Sequence, residues 1–267
     1  VQPASDENGF RKRYGGWAVV TGASDGIGAA FARQLAARGV HLVLVARRGA
    51  VLEAFATELK TANGIHAIPV SADLANPAGV ERVKVAAAPL DVGLLVAAAG
   101  FGTSGPLIEA EPFAELEMVD VNCRAVLDLA QHFGKRFSER GRGGMILMSS
   151  LLAFQGVPRA ANYAATKAYV QTLAEALHEE LGAHGVDVLS CAPGPIRSGF
   201  AGRANMRMGM AQTPDVVARE TLGALGRRLT VRPGWLSKAL EMSLALLPRA
   251  GRVRALARVM QGMTAHH

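Results

Sequence analysis

Apolar positions along the chain fall into short runs that alternate with longer amphipathic stretches. Trp17–Thr21 (WAVVT) is a run of β-formers that ends in a glycine-rich turn. Ile27–Arg38 follows with helical spacing, and Gly39 is its natural stop. His41–Ala46 (HLVLVA) is apolar without alternation, the pattern of a parallel strand covered on both faces. Val51–Asn63 reads as a helix closed by Gly64. Further strands are expected at His66–Ser71, Leu94–Ala98 and Gly143–Met148. Tyr163–Leu181 predicts a long helix ended by Gly182, and Val186–Cys191 a strand stopped by Pro193-Gly194-Pro195. In the last stretch, Thr213 and Pro214 open a helix as N-cap and first helical residue. Trp235–Leu247 is strongly apolar but broken by Lys238 and Glu241. Pro248 ends that helix and redirects the chain. Beyond it Val253, Leu256, Ala257 and Met260 share one helical face, and Arg254 and Arg258 another.

Strands alternating with helices of about 10–20 residues imply βαβ units and a parallel sheet. Right-handed crossovers make this α/β pattern a Rossmann-like, doubly wound layer. At 267 residues the chain suits one domain with its own core and a C-terminal helical extension. The expected boundaries are an N-terminal tail over 1–14, a nucleotide-binding catalytic domain over 15–212, and the extension over 213–267.

Composition narrows the classes. Half the residues are hydrophobic and 19% are charged, which excludes wholesale disorder. Cys123 and Cys191 alone make neither a disulfide framework nor a metal site, and they fit a reducing, cytoplasmic setting. No apolar run reaches the ~18 residues of a membrane span. The opening residues lack a charged-then-apolar signal pattern. The net charge of +7 is uneven: Arg197 to the end carries +9 and the remainder −2. The tail has no aromatic-basic interleaving beyond Trp235, so nucleic acid is not an expected partner. A basic amphipathic helix can lie on an anionic membrane, but packing on the domain or on a second subunit is the commoner use.

Two motifs carry chemistry. The first is the turn Thr21 to Gly28 (TGASDGIG), between a strand and a helix. Its glycines permit close backbone approach by a pyrophosphate, and the helix start offers free N–H groups to that anion. The second is Ser150 with Tyr163 and Lys167. Tyr163 and Lys167 are four apart and share a helix face. A nearby ammonium lowers a phenol's pKa and makes Tyr163 a usable acid or base. Ser150 follows a strand, at the edge where open α/β sheets bind ligands, and can hold a carbonyl oxygen.

Together these residues resemble the short-chain dehydrogenase/reductase family over roughly Tyr14 to Phe200. The resemblance rests on the 21–28 turn, Asp73, Ala97-Ala98-Ala99-Gly100, Asn122, Ser150, Tyr163 with Lys167, and Pro193-Gly194. It implies that Tyr163 donates or accepts the proton and that Ser150 positions the substrate oxygen. Lys167 would hold the nicotinamide ribose and tune Tyr163, and Asn122 would help hold a water for proton relay. Gly22, Ser24, Gly26, Ile27, Gly28, Leu74, Ala99 and Gly100 would line the cofactor. Asp73 would bind the adenine amino group. Pro193, Gly194, Ile196 and Ser198 would lie at the nicotinamide, Ser198 standing where the family usually has Thr. The family's usual Asn at position 97 is Ala97 here, which puts a strand-tying hydrogen bond worth about 1 kcal/mol in doubt.

The second strand ends in Arg47-Arg48 rather than an acid, which suits the 2′-phosphate of NADP(H). Asp25 is not the basic residue that some NADP-preferring relatives carry in the turn, so Arg47 is expected to do most of the discrimination. Tyr14-Gly15-Gly16-Trp17 and Glu175–Glu180 resemble the branch of hydroxysteroid dehydrogenases and long-chain 3-oxoacyl reductases. Phe200, Met206, Met208 and Met210 suit an adaptable apolar lid. The expected activity is NADPH-dependent interconversion of a carbonyl and a secondary alcohol on a small apolar substrate, in a homodimer or homotetramer. The alternative is a catalytically weak NADP(H)-binding regulatory or scaffold protein. Trp235–Met260 is expected to cover the substrate pocket or a subunit interface, with membrane contact secondary.

Overall fold

The computed structural model describes residues 4–197, 199 and 211–264. The stretch expected as a tail is helical: α1 spans Ala4–Tyr14. Phe10 and Tyr14, four apart, meet with ring centroids 4.7 Å apart and planes tilted by 58°. Tyr14 is buried, and its hydroxyl donates to Asp187 Oδ2 at 2.8 Å. Arg13 grips the same carboxylate through Nε and Nη2 at 2.6 and 2.7 Å, so α1 is fastened by a bidentate pair.

The strand β1 (Trp17–Thr21) leads into α2 (Gly26–Ala36), β2 (His41–Ala46), α3 (Gly49–Asn63) and β3 (Ala67–Ser71). Then come α4 (Pro77–Ala87), β4 (Val92–Ala97), α5 (Pro112–Val119) and α6 (Ala125–Arg140), the last two joined through a π-helical turn at Asp120–Arg124. The second half holds β5 (Gly143–Met148), α7 (Ala161–Gly182), β6 (Val186–Cys191), α8 (Pro214–Ala224), β7 (Thr230–Val231), α9 (Trp235–Ala245) and α10 (Arg249–Met263). The sheet order is β3-β2-β1-β4-β5-β6-β7, with every pairing parallel. The order reverses between β1 and β4, and ligands of such sheets bind in the crevice beyond the strand ends there.

The continuous apolar strands feed two cores. Ala18 and Val20 of β1, Leu42 and Leu44 of β2, and Leu94 and Val96 of β4 pack with α2, α3 and α8 on one face. Val19, Val43, Val45 and Leu95 enter the other core with α4, α6 and α7. Both faces are thus dry, which explains the missing alternation. The β4 strand begins at Val92 rather than the expected Leu94 and includes Gly93. A Cβ on Gly93 would collide with the Tyr14 carbonyl oxygen, so this glycine serves the packing of α1 and does not break the strand.

The bond put in doubt by Ala97 has a substitute. Ala97 is buried in the core, and the neighbouring Ala99 N–H donates to Thr21 Oγ1 at 2.9 Å, tying the ends of β1 and β4. Thr21→Val keeps the shape and β-propensity but strands that amide. We expect a loss of about 1–3 kcal/mol, read from the urea midpoint at unchanged slope. An unchanged midpoint would show that the tie contributes nothing.

Candidate active site

Two hollows meet at the carboxyl edge of β1, β4 and β5. The first is a cleft of about 460 Å³ beside the glycine-rich turn. Gly22, Ser24, Gly26, Ile27 and Gly28 form one wall. Arg47, Arg48, Asp73 and Leu74 form the far end, and Ala99 and Gly100 the floor beyond β4. Asp25 caps α2 by accepting from Gly26 N at 2.7 Å, and its second oxygen accepts from Gly199 N at 3.3 Å. Asp73 accepts from Ala75 N at 3.1 Å, which fixes the turn after β3.

The shape fits a dinucleotide. Gly22 has φ +67°, in the left-handed region, and a Cβ there would come within 2.9 Å of Ala99 N and Cα. A Cβ on Gly100 would lie 2.9 Å from Asn122 Oδ1 and 3.2 Å from Lys167 Nζ. Side chains at these points would fill the cleft, whereas bare backbone admits a phosphate and a ribose.

The second hollow is an apolar cavity of similar size, about 460 Å³. It shares Ile27, Ala98 and Gly100 with the cleft. Ser150, Tyr163 and Lys167 stand on one side, with Pro193, Gly194 and Ile196 beside them. The opposite wall is C-terminal: Leu240 and Leu244 of α9, Leu247, and Leu256, Met260 and Met263 of α10. Gly194 N donates to Ser237 Oγ at 2.9 Å, fastening α9 to the loop after β6. Of Trp235–Met260, expected to cover the substrate pocket or a subunit interface, this inward stripe lines the cavity. Trp235 stays 68% exposed and Leu246 87%, so these side chains find no cover among the described residues.

The β5 strand delivers Ser150 and α7 delivers Tyr163 and Lys167. Ser150 caps a short turn, its Oγ accepting from Leu152 N at 3.2 Å. Tyr163 is buried and hydrogen-bonded to Ser150. Lys167 Nζ donates to Met148 O at 2.9 Å and lies 5.8 Å from the Tyr163 ring centroid. The phenol is raised, not lowered as its spacing from Lys167 suggests: burial pushes Tyr163 up to about 12, with the Ser150 bond pulling the other way. Burial likewise brings Lys167 down to about 8. Sequence spacing shows which charges are near but not how dry the site is, and here desolvation wins.

Asn122 lies beneath the junction of the two hollows, fully buried in the π-helical turn. Its amide donates to Phe101 O at 2.9 Å and Thr166 Oγ1 at 3.0 Å, and its oxygen accepts from Phe101 N at 3.2 Å. It therefore pins the chain just after Gly100, and the extra residue of the π turn aims it there. Ser198, Phe200, Met206, Met208 and Met210 lie outside the described residues.

Three roles escaped sequence reasoning. Thr21 ties the strands, Glu117 meets Arg47 across the cleft mouth at 2.9 Å, and Arg159 reaches Thr264 at the end of α10. Arg159 carries φ +65° without being glycine, and no local motif announces it. Arg48 turns to the glycine-rich turn: its Nη2 donates to Ser24 O at 3.3 Å and Ser24 Oγ at 3.2 Å.

Comparison with known proteins agrees with this geometry. The family described as short chain dehydrogenase matches residues 16–208. A 7beta-hydroxysteroid dehydrogenase of Collinsella aerofaciens is 32% identical over 243 residues, covering 86% of this chain and 90% of that protein. A very-long-chain 3-oxoacyl-CoA reductase of Pyricularia oryzae is 35% identical over 217 residues, 79% of this chain and 65% of that protein. A structure solved to study 7beta-hydroxysteroid dehydrogenase stereoselectivity superposes with TM-score 0.86 at 28% identity, covering 92% of this chain and 98% of that one. A short-chain dehydrogenase from Sphingobium yanoikuyae in complex with NADPH gives TM-score 0.79 at 28% identity, covering 88% and 97%. The chain is an oxidoreductase belonging to the short-chain dehydrogenase/reductase family.

Proposed function

We propose that the protein is an NADPH-dependent oxidoreductase that interconverts a carbonyl and a secondary alcohol on an apolar substrate of steroid or long-chain 3-oxoacyl type. The observation that carries this reading is the hydrogen-bonded Ser150–Tyr163 pair, which faces an apolar cavity contiguous with a glycine-floored cleft. Support for the 2′-phosphorylated cofactor comes from Arg47 and Arg48 at the end of β2, where an acid would favour the unphosphorylated form. Support for the substrate class comes from the apolar C-terminal wall and from the names of the similar proteins.

The residues divide the work as follows. When bound, the nicotinamide supplies or takes up the hydride. Ser150 Oγ and the Tyr163 hydroxyl converge on a substrate oxygen, which fixes its position. Tyr163, protonated up to about pH 12, gives its proton to the oxygen as negative charge develops there. Lys167 places an ammonium beside that phenol, so ionisation of Tyr163 during transfer meets a favourable charge. Asn122 holds the Phe101 carbonyl and thereby the approach of Gly100 to Lys167. Leu244, Leu256 and Met260 keep water from the substrate's apolar body.

The direct test is a panel of steroid, 3-oxoacyl and small ketones, with NADPH oxidation followed by absorbance. We expect turnover that rises with apolar substrate size. Cofactor binding with no turnover on any ketone would return the scaffold alternative.

The same assay carries a pH prediction. Lys167 is charged below about pH 8 and neutral above it. Reduction kcat/KM should be flat on the acid side and fall with a midpoint near pH 8 as the ammonium is lost. A fall beginning only at about pH 10, the ordinary lysine and tyrosine range, would show that the buried charge does not matter.

A further inference from the structure

We infer that Glu117 is a specificity-determining residue of the dinucleotide cleft: its carboxylate holds Arg47 across the cleft mouth and so tempers the preference for a 2′-phosphate. This rests on the reading that the cleft takes NADPH. Glu117 projects from α5 and Arg47 from the end of β2, and their side chains meet at Nη1–Oε1 2.9 Å. The carboxylate is the less exposed partner, 17% against 49% for the guanidinium. Both residues line the cleft that also holds the helix-start amides of the glycine-rich turn. Of the carboxylates lining the cleft, Asp25 accepts from Gly26 N and Asp73 from Ala75 N, whereas Glu117 meets a guanidinium that could otherwise turn to an anion.

Stability gives no reason for it, since an ion pair this exposed is worth little. Its effect on ligand choice follows from which bonds each arginine has to exchange. Arg48 rests on Ser24 O and Ser24 Oγ, both neutral acceptors. An arriving phosphate replaces neutral partners there with an anion, which is a clear gain. Arg47 already holds an anion. Phosphate replaces carboxylate at Arg47 with little gain, one anion for another. Arg48 together with Ser24 is therefore the standing phosphate contact. Arg47 serves as a strap over the adenine end, tightened by Glu117. The neutral 2′-hydroxyl of NADH meets none of this opposition.

The experiment is calorimetric titration of the substrate-free protein with NADPH and with NADH, for the parent and for Glu117→Gln, Arg47→Ala and Arg48→Ala. Glu117→Gln keeps side-chain size and removes only charge. We expect it to tighten NADPH by about three- to tenfold and to leave NADH within about twofold. Arg48→Ala should weaken NADPH more than Arg47→Ala does. In the Glu117→Gln background, Arg47→Ala should cost NADPH more than in the parent, because Arg47 has become available to the phosphate. Weaker NADPH binding by Glu117→Gln, or an equal change for both cofactors, overturns the proposal. The parent's own ratio of the two affinities tests the NADPH reading separately. If the parent binds NADH as tightly as NADPH, that reading fails, while Glu117 is still judged by whether its substitution moves the ratio.

Discussion

Tyr163→Phe is expected to lower kcat for carbonyl reduction by about 10²–10⁴-fold, the usual contribution of a positioned general acid. The ring keeps its place among Phe101, Met118, Val157, Leu256 and Met260, so packing survives the loss of the oxygen. Ser150 keeps its bond to Leu152 N and Lys167 keeps Met148 O, so neither is left without a partner. What disappears is a buried hydroxyl that stays protonated through the neutral range, bonds Ser150 and lines the apolar cavity. NADPH affinity should be nearly unchanged, because the glycine-rich turn and both arginines lie on the other hollow. Turnover within about twofold of the parent would remove Tyr163 from the chemistry.

The fold was legible wherever burial on both faces writes itself into residue type. The β1 strand, Trp17–Thr21, and the β2 strand, His41–Ala46, have the bounds that their apolar runs imply. Helix α1 was not legible as such, because most of its side chains are polar and only the Phe10–Tyr14 spacing marks an inward face. The two-residue β7 has no pattern to read. Ser150, Tyr163 and Lys167 were identified from spacing and brought together at one cavity wall. Their proton affinities were not, since those depend on α10 and the loop before α7 drying the site. Glu117 and Arg47 are 70 residues apart, and only the sheet's winding makes them neighbours. The doubt over Ala97 came from treating one position alone, whereas the tie is made by Thr21 from the adjoining strand.

Removal of Arg249 to His267 is expected to cut kcat/KM for a large apolar ketone by at least about tenfold while leaving NADPH affinity within about threefold. The division follows from where α10 sits. Among the described residues, none beyond Gly199 lines the dinucleotide cleft. In contrast Leu256 and Met260 pack in the same cluster as Val157, Ala160 and Tyr163. Arg159, held at φ +65° four residues before Tyr163, reaches across to Thr264. Loss of α10 therefore opens one wall of the cavity, releases the loop that leads into α7 and wets Tyr163. Water weakens each interaction that the dry site strengthens, and the substrate loses apolar surface to bury. Lys167 lines the same cavity, and its ammonium, lowered by burial, should move back toward its ordinary value, so the alkaline limb of reduction shifts to higher pH in the truncated protein. The exposed Trp235 and Leu246 and the arginines of α10 make the competing use of this segment testable in the same preparation. If the intact protein pelleted with phosphatidylserine vesicles in a salt-sensitive way, and the truncated form kept its KM and oligomer size, α10 would be a membrane contact rather than a pocket wall. A raised KM for the apolar ketone, with the NADPH titration preserved and no vesicle binding, assigns α10 to the substrate.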